Sequence, residues 1–216
     1  TDVATTADLF TSILNAYGRE VEDAAQISDV LYQSVFRGKM EFEEMAHELG
    51  SIMGVAAQAG VSLEDLGAAM ATLTRAGIPT AEAATAIRRA IMSFIDPGKE
   101  ALETAQALGI EFNSTALKSQ GLIKAIGQLT GATQEQLSAL FPNIQALVAV
   151  QGVLGDLDGA YEDLRLNMEA AGTTQEAFTK ATNTLQFSLA QLKTDIQTLV
   201  QDFGKALAPA IYEIID

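Results

Sequence analysis

The stretch LEDLGAAMATLTRAGIPTAEAATAIRRAIMSF, residues 63–94, contains the pattern that determines the fold. Apolar residues recur at steps of three and four on both sides of a central Ala-Gly-Ile-Pro corner. A step of three or four places side chains on one face of an α-helix. The stretch therefore predicts two amphipathic helices joined at residues 77–79. Their apolar positions are Leu63, Leu66, Met70 and Leu73 before the corner, and Ala84, Ile87, Ile91 and Phe94 after it.

The corner between these helices has two interpretations, a ligand-binding loop or a helix junction. A phosphate-binding loop needs several glycines and a lysine that reaches back to the ligand, and residues 76–82 have one glycine and no lysine. Three other junctions have the order Gly-x-hydroxyl-x-Glu, at residues 60–64, 131–135 and 172–176. Glycine suits the left-handed residue that ends a helix, and Ser or Thr caps the next helix. The corner is therefore predicted to be a helix junction.

These junctions also predict capping boxes, in which two side chains at the start of a helix each accept a hydrogen bond from a backbone N–H. The predicted pairs are Ser62 with Asp65, Thr133 with Gln136, and Thr173 with Glu176.

Helical spacing extends along the chain, and alternating strand patterns are scarce. We predict an all-α protein, a multi-helix bundle with long C-terminal helices and few or no strands. Residues 1–130 are expected to form a compact bundle of short helices, and residues 131–216 a long helical hairpin ending in a heptad-patterned helix. The chain starts at Thr1 and ends within a helical pattern, so we expect a fragment of a larger protein. Helices are predicted near 5–17, 21–36, 41–59, 63–76, 81–95, 97–108, 119–130, 134–170 and 175–215.

The C-terminal stretch follows a strict heptad pattern of apolar residues. Such a pattern has two interpretations, a helix lying against its own domain or a surface that pairs with other copies of the chain. Pairing would use Leu185, Leu189, Leu192, Ile196, Leu199 and Phe203.

Charge and composition exclude several classes of function. The formal net charge is −15, from 28 acidic and 13 basic residues, and such a surface repels phosphate backbones. We therefore expect no specific nucleic-acid binding. The chain has no cysteine, which rules out a disulfide framework and thiolate ligands for zinc.

The sequence has few residues that could carry out catalysis. His47 is the only histidine, and HELGS lacks the second histidine of a zinc-protease motif. The acidic pairs Glu43–Glu44 and Asp156 with Asp158 are one or two residues apart, so on a helix they do not converge. We predict no catalytic, cofactor-binding or metal-binding residues, no cofactor, and no enzymatic activity.

Residues 136–155 carry no charge over about the length that spans a bilayer. Pro142, Asn143 and the glutamines within this run would need partners in lipid, so a buried core helix is the preferred interpretation, and membrane entry by a rearranged form stays open. The pairs Gly50/Gly54 and Gly155/Gly159 are interpreted as tight packing in a bundle, which would open more easily than an aromatic-rich one.

Five sequence blocks occur in order along the chain: TTADLFTSILNAYG, AAQISDVLYQSV, ALGIEFNST, GATQEQLSALFPNIQALVAV and LKTDIQTLVQDFGKALAPAI. The most specific block is a sixth, at residues 60–89, GVSLEDLGAAMATLTRAGIPTAEAATAIRR. Together the six blocks resemble the core region of phage tail tape measure proteins of the TP901 type. The resemblance covers nearly the whole chain. It brings no catalytic motif to these residues.

This resemblance implies a structural protein of phages and prophages that lies in the tail-tube lumen of the virion, sets tube length and assists genome ejection. The implied partners are the tail tube protein, tail assembly chaperones, and distal tail or baseplate proteins, with synthesis in the bacterial host cytoplasm and transient contact with the host membrane. One alternative is a membrane-acting helical module that forms or lines a DNA-injection channel. Another is a helical scaffold of a bacterial surface or secretion protein.

Overall fold

A computed structural model describes residues 3–174, which contain eleven α-helices, one 3-10 turn at Val21–Asp23 and no strand. The prediction of an all-α protein is confirmed. The helices are Val3–Tyr17 (α1), Ala24–Arg37 (α2), Phe42–Ala59 (α3), Leu63–Arg75 (α4), Thr80–Ile95 (α5), Lys99–Leu108 (α6), Ser114–Gln120 (α7), Leu122–Gly127 (α8), Gln134–Leu140 (α9), Ile144–Gly155 (α10) and Leu157–Met168 (α11).

Helix α4 is the centre of the fold, since every residue from Leu63 to Thr74 is buried. Helices α2, α5, α8, α10 and α11 all contact it. The sequence predicts a single apolar face for α4, but its other faces carry Gly, Ala and Thr, which let several helices approach closely. At Gly67 an added Cβ would collide with the side chain of Ser34 on α2.

Three phenylalanines join α5 to α9 and to the segment before α7. The ring centroids of Phe94 and Phe112 are 4.3 Å apart, and those of Phe112 and Phe141 are 5.2 Å apart in an edge-to-face arrangement. Such pairs stabilise beyond the area that they bury, by about 1 kcal/mol each. The cluster forms the aromatic part of an otherwise aliphatic core.

The corner at residues 77–79 is a helix junction, as predicted. Gly77 has φ +91°, its N–H donates to the Thr74 carbonyl, and the Ile78 N–H donates to the Leu73 carbonyl. This pair of bonds is the Schellman motif that satisfies the last carbonyls of a helix. Pro79 then precedes the first residue of α5.

The predicted caps have different outcomes. Thr133 and Gln136 form the predicted capping box. Ser62 accepts from the Asp65 N–H, but the Asp65 carboxylate is used elsewhere, as described below, so that box is wrong. Thr173 with Glu176 lies partly outside the described residues and stays a prediction.

The single helix predicted over 134–170 is wrong, because the structure has three helices there. Pro142 lacks an N–H and interrupts the first helix, and Asn143 caps α10 by accepting from Gln145 and Ala146. Asp156 then ends α10 and caps α11 by accepting from Gly159. The helix predicted over 119–130 corresponds to α8, and the prediction missed α7, which Gly121 with φ +81° separates from α8.

These helices belong to one compact unit that ends at Thr173. The heptad-patterned residues from Leu185 to Phe203 lie outside the described residues. The second arm of the predicted hairpin lies there as well, so the hairpin and its boundary at 130/131 stay predictions.

The interpretation of the glycine pairs as packing sites is wrong. Gly50 and Gly54 are exposed on α3, and an added Cβ at either would have no atom within 4 Å. Gly155 is equally open, and a Cβ added at Gly159 would meet the Asp156 side chain that caps α11. Close helix approach occurs instead at Gly67 and Gly152, where an added Cβ would meet Ser34 and Leu73.

The uncharged run 136–155 is part of the core, as preferred from the sequence. It is divided between α9 and α10, and within the described range no helix is long and apolar enough to cross a membrane. The buried residues are Leu137, Leu140, Phe141, Ala146, Leu147, Ala149, Val150 and Val153.

Candidate functional site

The polar residues that the sequence singles out do not converge. His47 is exposed on α3 between two shallow depressions of about 250 and 280 Å³, and Asp158 is exposed on α11. Among residues 3–174, no group of three or more His, Asp or Glu side chains is placed to hold a metal ion. The most organised polar chemistry lies instead under α11.

The inward face of α11 is polar, because its buried residues are Ala160, Asp163 and Asn167. Their spacing of three and four places them on one side of the helix. The Asp163 side chain is 1% exposed, which makes it one of the most desolvated charges in the described part of the chain.

Asp163 is held by groups from two neighbouring helices. Its Oδ1 accepts from Arg37 Nε of α2 at 2.7 Å. Its Oδ2 accepts from Arg75 Nη1 at 2.7 Å and from the Thr72 hydroxyl at 3.1 Å, both on α4. The single Thr72 proton is shared with the Ala68 carbonyl, which lies at 2.9 Å. Charge-assisted bonds of this length are about twice as strong as neutral ones, so one carboxylate ties α11 to α2 and α4.

The Arg75 guanidinium also binds the start of α11 and the end of α2. It donates to Asp156 Oδ2 at 2.8 Å, at the start of α11, and to the Arg37 carbonyl at 3.2 Å, at the end of α2. Burial alone would lower the pKa of Arg75, but the hydrogen bonds and charges of Asp156 and Asp163 outweigh it and raise the pKa.

Asn167 makes the second part of the contact, one turn further along α11. Its Nδ2 donates to the Glu64 carbonyl at 2.9 Å and to the Ser34 hydroxyl at 3.2 Å. Ser34 in turn donates to the Val30 carbonyl at 2.8 Å. Because Gly67 has no side chain, these groups reach the α4 backbone.

We call this set the α11 polar contact. It consists of Asp156, Asp163 and Asn167 on α11 with Ser34, Arg37, Thr72 and Arg75 on α2 and α4. Its hydroxyl next to a carboxylate, Thr72 beside Asp163, is fully buried, and Asp163 is already bound by two arginines. What it does chemically is to fix the position of α11 by charge and hydrogen bonding.

A separate buried carboxylate, Asp65, fixes α8. Asp65 is 3% exposed, and it accepts from the backbone N–H of Leu122 and, at 3.0 Å, of Ile123. Burial raises the pKa of Asp65 to about 6, against those two bonds and the Lys124 charge, which lower it, while the Glu64 charge raises it further. Helix α8 is therefore held by a side chain 57 residues earlier in the chain.

The sequence interpretation missed both sites. A signal for the first was present, because residues 156, 160, 163, 167 and 170 follow helical spacing with only alanine and polar side chains. Asp, Asn and Ala at that spacing normally indicate an exposed face. Only the three-dimensional partners Arg37 and Arg75, more than 80 residues away, identify this face as buried.

Comparison with known proteins identifies the class of protein that has this fold. The chain belongs to the family of phage-related minor tail proteins, whose family model matches residues 1–152. The alternative of a bacterial surface or secretion scaffold is set aside by this match.

A particular relative is the tape measure protein of Pneumococcus phage Dp-1, which is 27% identical over 222 residues. The alignment covers 99% of this chain but 19% of that protein, so the chain spans about a fifth of the relative's length. No solved structure matches the chain at a comparable level. The resemblance to phage tail tape measure proteins is thus confirmed, and with it a place among the structural proteins of the phage tail.

Proposed function

We propose that the chain is a segment of a tail tape measure protein that sets the length of the tail tube and assists genome delivery. The observation that carries this proposal is the similarity of 99% of the chain to a protein named a tape measure protein. The helical fold is consistent with it, because a helix rises about 1.5 Å per residue, so its length is proportional to the number of residues.

The proposed location is the lumen of the tail tube in the virion, after synthesis in the host cytoplasm. The proposed partners are the tail tube protein, the tail assembly chaperones and the distal tail or baseplate proteins. A charge of −15 supports this location, because an acidic surface repels DNA that passes through the same tube. Self-association through the heptad residues from Leu185 to Phe203 belongs to the same proposal.

We infer that the compact unit opens or stretches inside the tail. A folded unit of about 170 residues has a radius of gyration of roughly 16 Å, whereas the same residues in one continuous helix span about 260 Å. The opened unit would therefore span a much greater length of the tail tube than the folded unit.

Tail length in electron micrographs tests the proposal after in-frame deletion of residues 175–208 from the parent gene. We expect tails shorter by about 50 Å, from about 34 residues at helical rise. The control replaces the same residues with an unrelated helical sequence of equal length, which should restore tail length even where it removes heptad pairing.

Tails of unchanged length with lost infectivity would contradict the length-setting role. They would favour the alternative of a membrane-acting module that lines a DNA-injection channel. One observation supports that alternative: on the uncharged α10, Ile144 and Val148 are 71% and 37% exposed one turn apart. Leakage of dye from phospholipid vesicles treated with the purified chain would distinguish it.

A further inference from the structure

We propose that α11 opens as a local unfolding unit, separating from α2, α4 and α8 while the helices from α3 to α10 stay folded. Local opening of this kind occurs where an element has few buried apolar contacts. The inference rests on the α11 polar contact and does not depend on the length-setting role.

The first argument is the small apolar area under α11. Its fully buried side chains are Ala160, Asp163 and Asn167, whereas α10 buries Ala146, Leu147, Ala149, Val150 and Val153. Leu157 and Leu164 are only partly buried. Because hydrophobic stabilisation is proportional to the apolar area removed from water, α11 is held mainly by its polar partners.

The second argument concerns the charges in the contact. Asp163 is 1% exposed, but the side chains of its partners Arg37 and Arg75 are 34% and 27% exposed. A desolvated ion pair recovers only part of its lost hydration from mutual attraction. When α11 separates, Asp163 regains water and both arginines can turn to solvent without moving α2 or α4. The free energy of opening is therefore smaller than it would be for an apolar contact of equal area.

The third argument is the position of the two attachment points. At its start α11 is attached through Asp156, whose backbone (φ −139°, ψ 55°) is non-helical and separates it from α10. Just beyond its end, the Gly172 N–H donates to Asp29 Oδ2 at 2.7 Å. Helix α11 is the last described helix of the compact unit, so its release requires no displacement of an element that follows it within that unit.

The fourth argument is the surface that opening uncovers. The α4 groups that α11 contacts are the Glu64 carbonyl, the small residue Gly67, the Thr72 hydroxyl and the Arg75 guanidinium. Water solvates these polar and small groups readily in the open form, and the apolar surface uncovered in addition is that under Ala160, Leu157 and Leu164.

Hydrogen exchange measured by mass spectrometry on the 216-residue chain tests the inference. In the wild type, amides of residues 157–168 should exchange through an opening that leaves α5 and α10 protected. Asp163→Asn should accelerate exchange across 157–168 by about 10- to 100-fold, because it weakens the charge-assisted hydrogen bonds that attach α11 to Arg37 and Arg75. Protection in α5 should change by less than about threefold, because distant sites are nearly independent.

Two further variants keep the test decisive. Glu162→Gln makes the same carboxylate-to-amide change on the exposed side of α11, where Glu162 pairs with Arg165, and should leave exchange nearly unchanged. Thr72→Val removes one hydrogen bond to Asp163 with little change of shape, and should accelerate exchange in 157–168 by a smaller factor than Asp163→Asn.

Two results would overturn the inference. In one, Asp163→Asn and Thr72→Val accelerate exchange equally in α4, α5 and α11, which means that α11 opens only when the whole unit unfolds. In the other, Glu162→Gln has as large an effect as Asp163→Asn, which means that helix charge and not the α11 polar contact controls opening.

Discussion

Asp65 shows at the scale of one residue how a buried carboxylate couples this fold to pH. Its ordinary pKa of 3.8 is raised to about 6 in the folded chain, so between these values the folded state binds more protons than the unfolded state. Stability from this group is therefore fully present below about pH 4 and is lost as the pH rises through about 6. The loss amounts to about 3 kcal/mol at most.

Asp65→Asn should remove this pH dependence. The amide lacks a second acceptor for the two N–H groups of α8, so the variant should be less stable than wild type at pH 4.5, by about 1–3 kcal/mol. The deficit should shrink or reverse by pH 7.5, where the wild type carries a buried charge. Urea unfolding at both pH values measures this, with Glu162→Gln as the exposed-carboxylate control. A deficit that grows with pH would contradict the assignment of a raised pKa.

Gly121 offers a second test at the residue scale, because it has φ +81° and an added Cβ would collide with the Asp65 carboxylate. Gly131 has φ +88° and open space around it. Gly131→Ala should cost about 1 kcal/mol, from the left-handed backbone alone. Gly121→Ala should cost clearly more, by a further 1–3 kcal/mol, because Asp65 must move and because its ψ of 171° lies in a region that only glycine adopts readily. Equal losses in chemical denaturation would show that Asp65 is not confined at this point.

At the scale of elements, the sequence predicts well which segments are helical and less well how many helices they form. Helices α3, α4 and α5 lie within about two residues of their predicted ranges, because their apolar spacing and junction glycines act locally. The break at Asn143 was missed although Pro142 is visible in the sequence, because apolar spacing continues across it. Both Asn143 and Asp156 act as caps, and the sequence interpretation assigned neither that role.

The cap at Asn143 can be tested directly, because its Oδ1 accepts from Gln145 at 2.9 Å and from Ala146 at 3.3 Å. Asn143→Ala should lower the free energy of unfolding by about 1 kcal/mol, whereas Asn143→Ser should retain most of it. Thermal or urea unfolding of both variants provides the comparison. Serine and alanine variants of equal stability would mean that Pro142 alone determines the start of α10.

At the scale of the whole molecule, the sequence was sufficient for the all-α class and the phage tail resemblance, and insufficient for the α11 polar contact. Class and resemblance depend on ordered local blocks. The contact depends on pairing Asp163 with Arg37, 126 residues earlier, and periodicity carries no information about such pairs. The glycine pairs show the reverse error, because a local small-residue pattern was interpreted as packing although a Cβ added at Gly50 or Gly54 would meet no atom within 4 Å.

The proposed length-setting role makes a quantitative prediction for the compact unit. In-frame deletion of residues 3–173 from the parent gene should shorten tails by about 260 Å if the unit is opened into helix along the tube. It should shorten them by only about 40 Å, the diameter implied by its radius of gyration, if the unit is carried folded. Duplication of the same residues should lengthen tails by the same amount, which separates measurement from simple loss of function. Electron microscopy resolves the two values, and tails whose length follows neither change would contradict the role of this unit as a ruler.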